Sequence, residues 1–125
     1  MASNSAPANR EQLLGKLRHS SEMSITVTGR NTKRKLSTPV WFVLDDQNRV
    51  ILVPVHGSNT EWFKNLAKDP RIELSIDQVT MSFSATIVRD SNRVEEVLDK
   101  FRTKYGSMWS ESYYATRDVY VEVPL

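Results

Sequence analysis

Cysteine is absent from this chain of 125 residues, so disulfide cross-links, thiolate metal sites and cysteine nucleophiles are all excluded. Histidine occurs twice, at His19 and His56, too few for a histidine-rich metal cluster. None of the four glycines lies in a phosphate-cradling loop of the nucleotide-hydrolase or dinucleotide type. A serine nucleophile elbow, a His-Glu-x-x-His helix and a facing pair of carboxylates are also missing, which argues against a conventional hydrolase. No apolar stretch nears the ~20 residues that cross a bilayer, and the opening MASNSAPANR has no signal-peptide core. A cytoplasmic address without a membrane span is expected.

What is present suffices for one domain. With 14.4 kDa and 39% hydrophobic residues, positions 1–125 read as a single unit, and the small polar leader Met1–Ala8 is expected to be mobile. The net charge of +2 conceals an asymmetry: residues 1–39 carry seven Lys or Arg against two Glu, the remainder ten against thirteen acids. Most of the excess is Arg30, Lys33, Arg34 and Lys35, in GRNTKRK from Gly29. Such a cluster is dense enough to hold an anion, and equally reads as a solvated hairpin tip. Nucleic acid is not an expected partner, because the cations are confined to one turn and no aromatics alternate with them along a strand.

Periodicity sets out the elements. Leu13, Leu14 and Leu17 give a narrow helical face from about Asn9 to His19. Strands follow at Ser24–Thr28, at Leu36–Leu44 with Pro39 marking an edge or bulge, and at Arg49–Val55 after the polar turn Asp45–Asn48. Arg71–Ile76 and Val79–Val88 alternate as half-buried strands about the Asp77-Gln78 turn. Val94, Val97, Leu98, Phe101 and Tyr105 form a helical stripe, with Asn92 and Glu95 as a cap and Gly106 as a stop. An aromatic turn at Ser107–Thr116 leads to a last strand, Asp118–Val123. Six strands joined largely by hairpins, with helices after the third and before the last, describe a small barrel with helices outside.

The barrel is organised around Pro54–Pro70, where an apolar strand enters a polar turn and the turn opens a helix. Ser58 with Glu61 has the spacing of a capping box, Trp62, Phe63, Leu66 and Ala67 supply an apolar face, and Asp69-Pro70 ends it. Free N–H groups at that helix start would suit an anion. Trp41, Trp62, Trp109, Tyr113 and Tyr114 can stack on a flat ligand or pack into the core.

In order, Thr28-Gly29-Arg30, Ser37-Thr38-Pro39-Val40-Trp41-Phe42-Val43, Val53-Pro54-Val55 with Gly57-Ser58, and Glu61-Trp62-Phe63-Lys64-Asn65-Leu66 before Asp69-Pro70 resemble the deazaflavin-dependent nitroreductase family, of the FMN-binding split β-barrel group. The resemblance covers about residues 24–76 and implies an α+β split β-barrel of about six mainly antiparallel strands with outer helices. It also implies coenzyme F420, hydride transfer to a quinone or nitro compound, and a homodimer. The phosphate and tail would meet Arg30, Lys33 and Lys35. The ring would lie along Thr38, Pro39, Val40 and Trp41 and around Val55, His56, Gly57, Ser58, Thr60, Trp62 and Asn65. Where relatives read TGRKSG, this chain has Asn31 for the lysine and Lys33 for the glycine, and Leu36 replaces a usual basic residue. Lys33, Arg34 or Lys35 must then restore the charge. An FMN-binding oxidase or reductase and a non-enzymatic cofactor-binding barrel are the alternatives. No catalytic side chain is assigned, since hydride chemistry resides in the cofactor ring.

Overall fold

Two of the six apolar runs bend from one sheet into another, so the computed structural model, which describes residues 5–125, contains eight strands. These are β1 (Met23–Thr28), β2 (Lys35–Val40), β3 (Val43–Leu44), β4 (Val50–Leu52), β5 (Arg71–Ile76), β6 (Val79–Ser84), β7 (Thr86–Val88) and β8 (Tyr120–Val123). They form two four-stranded sheets, ordered β2-β1-β5-β6 and β3-β4-β8-β7, and every pairing is antiparallel. The run expected as one strand over Leu36–Leu44 leaves the first ladder at Trp41 and re-enters the second at Val43; Val79–Val88 does the same at Ala85. Both edges of one sheet thereby continue into both edges of the other. The six runs close into a split barrel, which removes the long open edges of a flat sheet. Pro39, with no N–H to donate, lies in edge strand β2 opposite Ser24.

The bend between β2 and β3 takes Phe42 out of the ladders, and its backbone groups are satisfied from the C-terminal end of α3 (Ser91–Tyr105). The Phe42 N–H donates to the Tyr105 hydroxyl at 3.0 Å, that hydroxyl lies 2.7 Å from the Ser21 carbonyl, and Lys104 Nζ donates to the Phe42 carbonyl at 2.8 Å. Burial pushes the Tyr105 hydroxyl up to about 12. Lys104 is exposed as a residue, but its ammonium lies 3.5 Å from the centre of the Phe42 ring, and burial there lowers its pKa to about 8.

Helices α1 (Ser5–Arg18) and α2 (Glu61–Lys68) send Leu13, Leu17, Phe63 and Leu66 into the barrel interior, against Ile25, Val27, Leu52, Leu74 and Val121. Helix α3 covers the outside of the second sheet, where Val94, Leu98 and Phe101 meet Val43, Ile51, Val53 and Tyr120. Strand β4 is thus buried on both faces, as its unbroken apolar run requires. The outer face of the first sheet is hydroxyl-rich, with Thr26 bonded to Ser37 and Ser75 to Thr80. Two boundaries differ from the sequence reading. α1 begins at Ser5, so the expected leader is helical from there, and Met1–Asn4 lie outside the described residues. Asp90, not Asn92, caps α3, its carboxylate accepting from the Asn92 and Arg93 N–H groups. Gly106 ends α3 at φ 52°, and the aromatic turn beyond is clamped by Glu111, which takes bonds from Arg102, Arg117 and Trp109. Among the described residues no helix is long and apolar enough to cross a membrane.

Tyr105→Phe keeps the ring but strips the Phe42 N–H of its partner, and denaturant unfolding should show a loss of about 1–3 kcal/mol; an unchanged midpoint would mean water replaces the hydroxyl. Lys104 makes a second test. Its folded pKa is depressed, so the unfolded chain binds the extra proton above about pH 8, and stability from this group rises with pH from there until Tyr105 begins to matter near 10. Lys104→Met should flatten that rise in unfolding midpoints measured across the interval.

Candidate functional site

The turn that enters α2 does not form the expected capping box. Ser58 donates its N–H to Asp118 Oδ1 at 3.0 Å and its hydroxyl to Oδ2 at 2.6 Å, tying the turn to the segment just before β8. Those bonds hold the Asp118 carboxyl below its ordinary range. Thr60 stands at the N-cap instead, yet its hydroxyl accepts from the His56 N–H at 2.8 Å and caps nothing. Residues 57–59 make a single 3-10 turn, and the α-helix proper starts at Glu61. Gly57 sits at φ 56°, and a Cβ there would strike Asp118 and Thr116. Only glycine suits that position.

The Glu61 side chain, freed from capping, reaches Arg30 in the β1–β2 turn. Arg30 Nη2 donates to Glu61 Oε1 at 2.9 Å, while Nη1 and the Arg30 backbone N–H both donate to Asn65 Oδ1, at 2.8 and 3.1 Å. Asn65 is 4% exposed, so the basic turn is fastened to the body of α2 by a buried amide. Arg30 holds the Glu61 carboxyl below its usual range. The turn itself is closed by bonds from the Gly29 N–H to the Arg34 carbonyl and from the Lys33 N–H to the Gly29 carbonyl.

Beside this clasp a groove of about 210 Å³ runs between β2 and α2, walled by Leu36, Thr38, Thr60, Trp62 and Asn65. Its position follows from strand alternation. Leu36, Thr38 and Val40 pair with the inward-facing Val27, Ile25 and Met23, so they share the barrel side of β2. The groove is therefore the mouth of the split, where the inner face of an edge strand meets α2 and not another strand. Leu36 is 48% exposed there.

The expected site residues divide among five places. Arg30, Thr38, Thr60, Trp62 and Asn65 come together at the groove. Lys33 and Lys35 border a larger concavity of about 590 Å³ on the outer face of the first sheet, with Thr26, Arg71 and Ser82 and with the carboxylates of Asp69 and Glu73. Lys35 is paired with Glu73 at 2.5 Å, and Asp69, bound by Arg71, is lowered to about 2. Pro39 alternates to that same outer side, whereas Val40 packs against the interior core. Trp41 stacks on Tyr105, ring centres 4.1 Å apart and 6° from parallel, with Val55 in the same aromatic cluster. His56, Gly57 and Ser58 build the entry turn. Glu61, Leu36 and Asp118 are the residues that sequence reasoning did not place in the site: Glu61 was assigned to a cap, and Asp118 lies 60 positions from its partner. Alternation from Thr38 would have found Leu36.

Solved structures share this fold. An F420-H2 dependent reductase is similar at 15% identity and TM-score 0.62, covering 82% of this chain and 93% of that one. An F420 reductase matches at 13% identity and TM-score 0.59, over 86% and 89% of the two chains. A domain-swapped dimer matches at 15% identity and TM-score 0.62, over 98% and 99%. Residues 7–124, nearly the full length, match the F420H(2)-dependent quinone reductase family, and the chain therefore belongs to that family of oxidoreductases working with coenzyme F420.

Proposed function

We propose that the groove between β2 and α2 seats the deazaflavin ring, that Arg30 and the basic turn hold the anionic part of the coenzyme, and that the acceptor is a quinone or nitro compound. The carrying observation is the junction of an apolar-walled groove with a cationic turn through the Arg30–Asn65 bond. Leu36 and Trp62 offer apolar surface to a flat ring, and Thr38 and Thr60 bring hydroxyls to the same walls. Arg34, in the same turn as Arg30, has no ion pair among the described residues and remains available to phosphate and carboxylates, while Lys33 borders the outer side of the sheet. These residues fit the group.

Bound there, the reduced coenzyme supplies the hydride. The chain's own part is to orient it. A volume of about 210 Å³ is below the usual size of a site that encloses a drug-sized ligand, so a ring on this wall keeps one side open for an acceptor. A quinone that gains a hydride also gains a proton, which water can deliver from that open side. A homodimer belongs to the same reading: Leu36, Met108 and Tyr113 are exposed apolar side chains that a second subunit could cover.

Fluorescence titration with F420 and FMN side by side tests the site. Arg30→Ala should raise the F420 dissociation constant about tenfold to a hundredfold, the worth of a charge-assisted hydrogen bond. The fold should survive, because the residue-30 backbone N–H still serves Asn65. Trp62→Phe should change coenzyme quenching with little change in melting temperature. Equal binding by wild type and both variants would remove the ring from this groove. Adding a short-chain benzoquinone to protein loaded with reduced coenzyme should restore the absorbance of the oxidised form, and failure there would overturn the acceptor class alone.

A further inference from the structure

The guanidinium of Arg30 has two unequal partners. One nitrogen is fixed on Asn65, a buried amide within the helix that also takes the Arg30 backbone N–H. The other faces Glu61, whose side chain is 74% exposed and whose second oxygen has Lys64 Nζ at 3.7 Å as its one ion-pair partner among the described residues. Glu61 lines the groove mouth as well. Half of Arg30 is thus a structural rivet, and half is an anion seat already holding a carboxylate.

From this division we infer that Glu61 is a specificity-determining residue: a resident carboxylate on the anion seat of Arg30, selecting a singly charged phosphodiester over a doubly charged phosphomonoester. The inference rests on the reading that F420 binds beside Arg30. Exposed ion pairs are weak, so an incoming anion can displace Glu61 from the guanidinium without disturbing Asn65. The displaced carboxylate cannot go far. It belongs to the first residue of α2 and stays at the groove mouth, so as a carboxylate it repels whatever anion replaces it. That repulsion scales with the charge of the newcomer. On the seat itself F420 presents a phosphodiester with one charge, its carboxylates lying further along the tail, whereas the phosphomonoester of FMN approaches two at neutral pH. Lys64 offsets part of the field for both ligands alike.

The test is a set of dissociation constants for F420 and FMN, taken by fluorescence titration at low and moderate salt on wild type, Glu61→Gln and Arg30→Ala. Glu61→Gln should tighten F420 by about threefold and FMN by about tenfold, so the preference for F420 narrows, with the difference shrinking as salt is added. An unchanged ratio of the two constants, or no gain for either ligand, overturns the role of Glu61. Arg30→Ala separates the two readings. If it weakens F420 while Glu61→Gln leaves the ratio unaltered, the site stands and the selectivity does not. If Arg30→Ala binds F420 like wild type, the seat is elsewhere and both fall.

Discussion

The structure turns on the need to satisfy Phe42. A strand that leaves one sheet for another must pass through residues paired to neither, and a buried unpaired amide costs as much as a lost hydrogen bond. Here Tyr105 and Lys104 meet that demand from a helix more than 60 residues later, where the Tyr105 hydroxyl accepts from the Phe42 N–H and the Lys104 ammonium covers the carbonyl. The bend they stabilise frees β2 from a second β partner, and that freedom creates the groove. The Tyr105 ring, stacked on Trp41, also fixes the direction in which the strand departs.

Strand alternation then divides the chemistry of β2. Leu36, Ser37 and Thr38 border the groove, but the Ser37 hydroxyl turns to Thr26 on the opposite side, where Lys35 meets Glu73 and Pro39 alternates to the same face. A residue list taken as a continuous stretch must mix the two faces. The basic turn is divided similarly: Arg30 points to α2, and Lys33 and Lys35 border the outer sheet. The cationic window in the sequence is therefore two half-sites back to back, joined only through the hairpin.

Legibility in the sequence followed the range of the interaction responsible. The hairpin at Asp77-Gln78, where both residues have positive φ, the stop at Gly106 and the alternation of β5 and β6 are short-range, and each was readable. The capping box at Ser58 and Glu61 was a local pattern overruled at long range, since Asp118 claims the serine and Arg30 the glutamate. The unbroken strand over Leu36–Leu44 failed for a similar reason: β propensity persists through Trp41 and Phe42, and only the far end of α3 shows why the ladder stops there. At the groove, Arg30, Thr38, Thr60, Trp62 and Asn65 converge, and Asn65 has a task no pattern revealed, that of anchoring the arginine.

This arrangement separates holding from reacting. The Arg30–Asn65 bond is buried and serves the fold, while the Arg30–Glu61 pair is exposed and exchangeable and keeps its carboxylate at the groove mouth on the guanidinium. Hydride transfer at the proposed site would gain from that separation, because its rate depends on face-to-face approach more than on a titrating side chain. A site of this kind reveals itself less by reactive residues than by a rigid edge strand, a helix riveted to it, and a cation set at the junction.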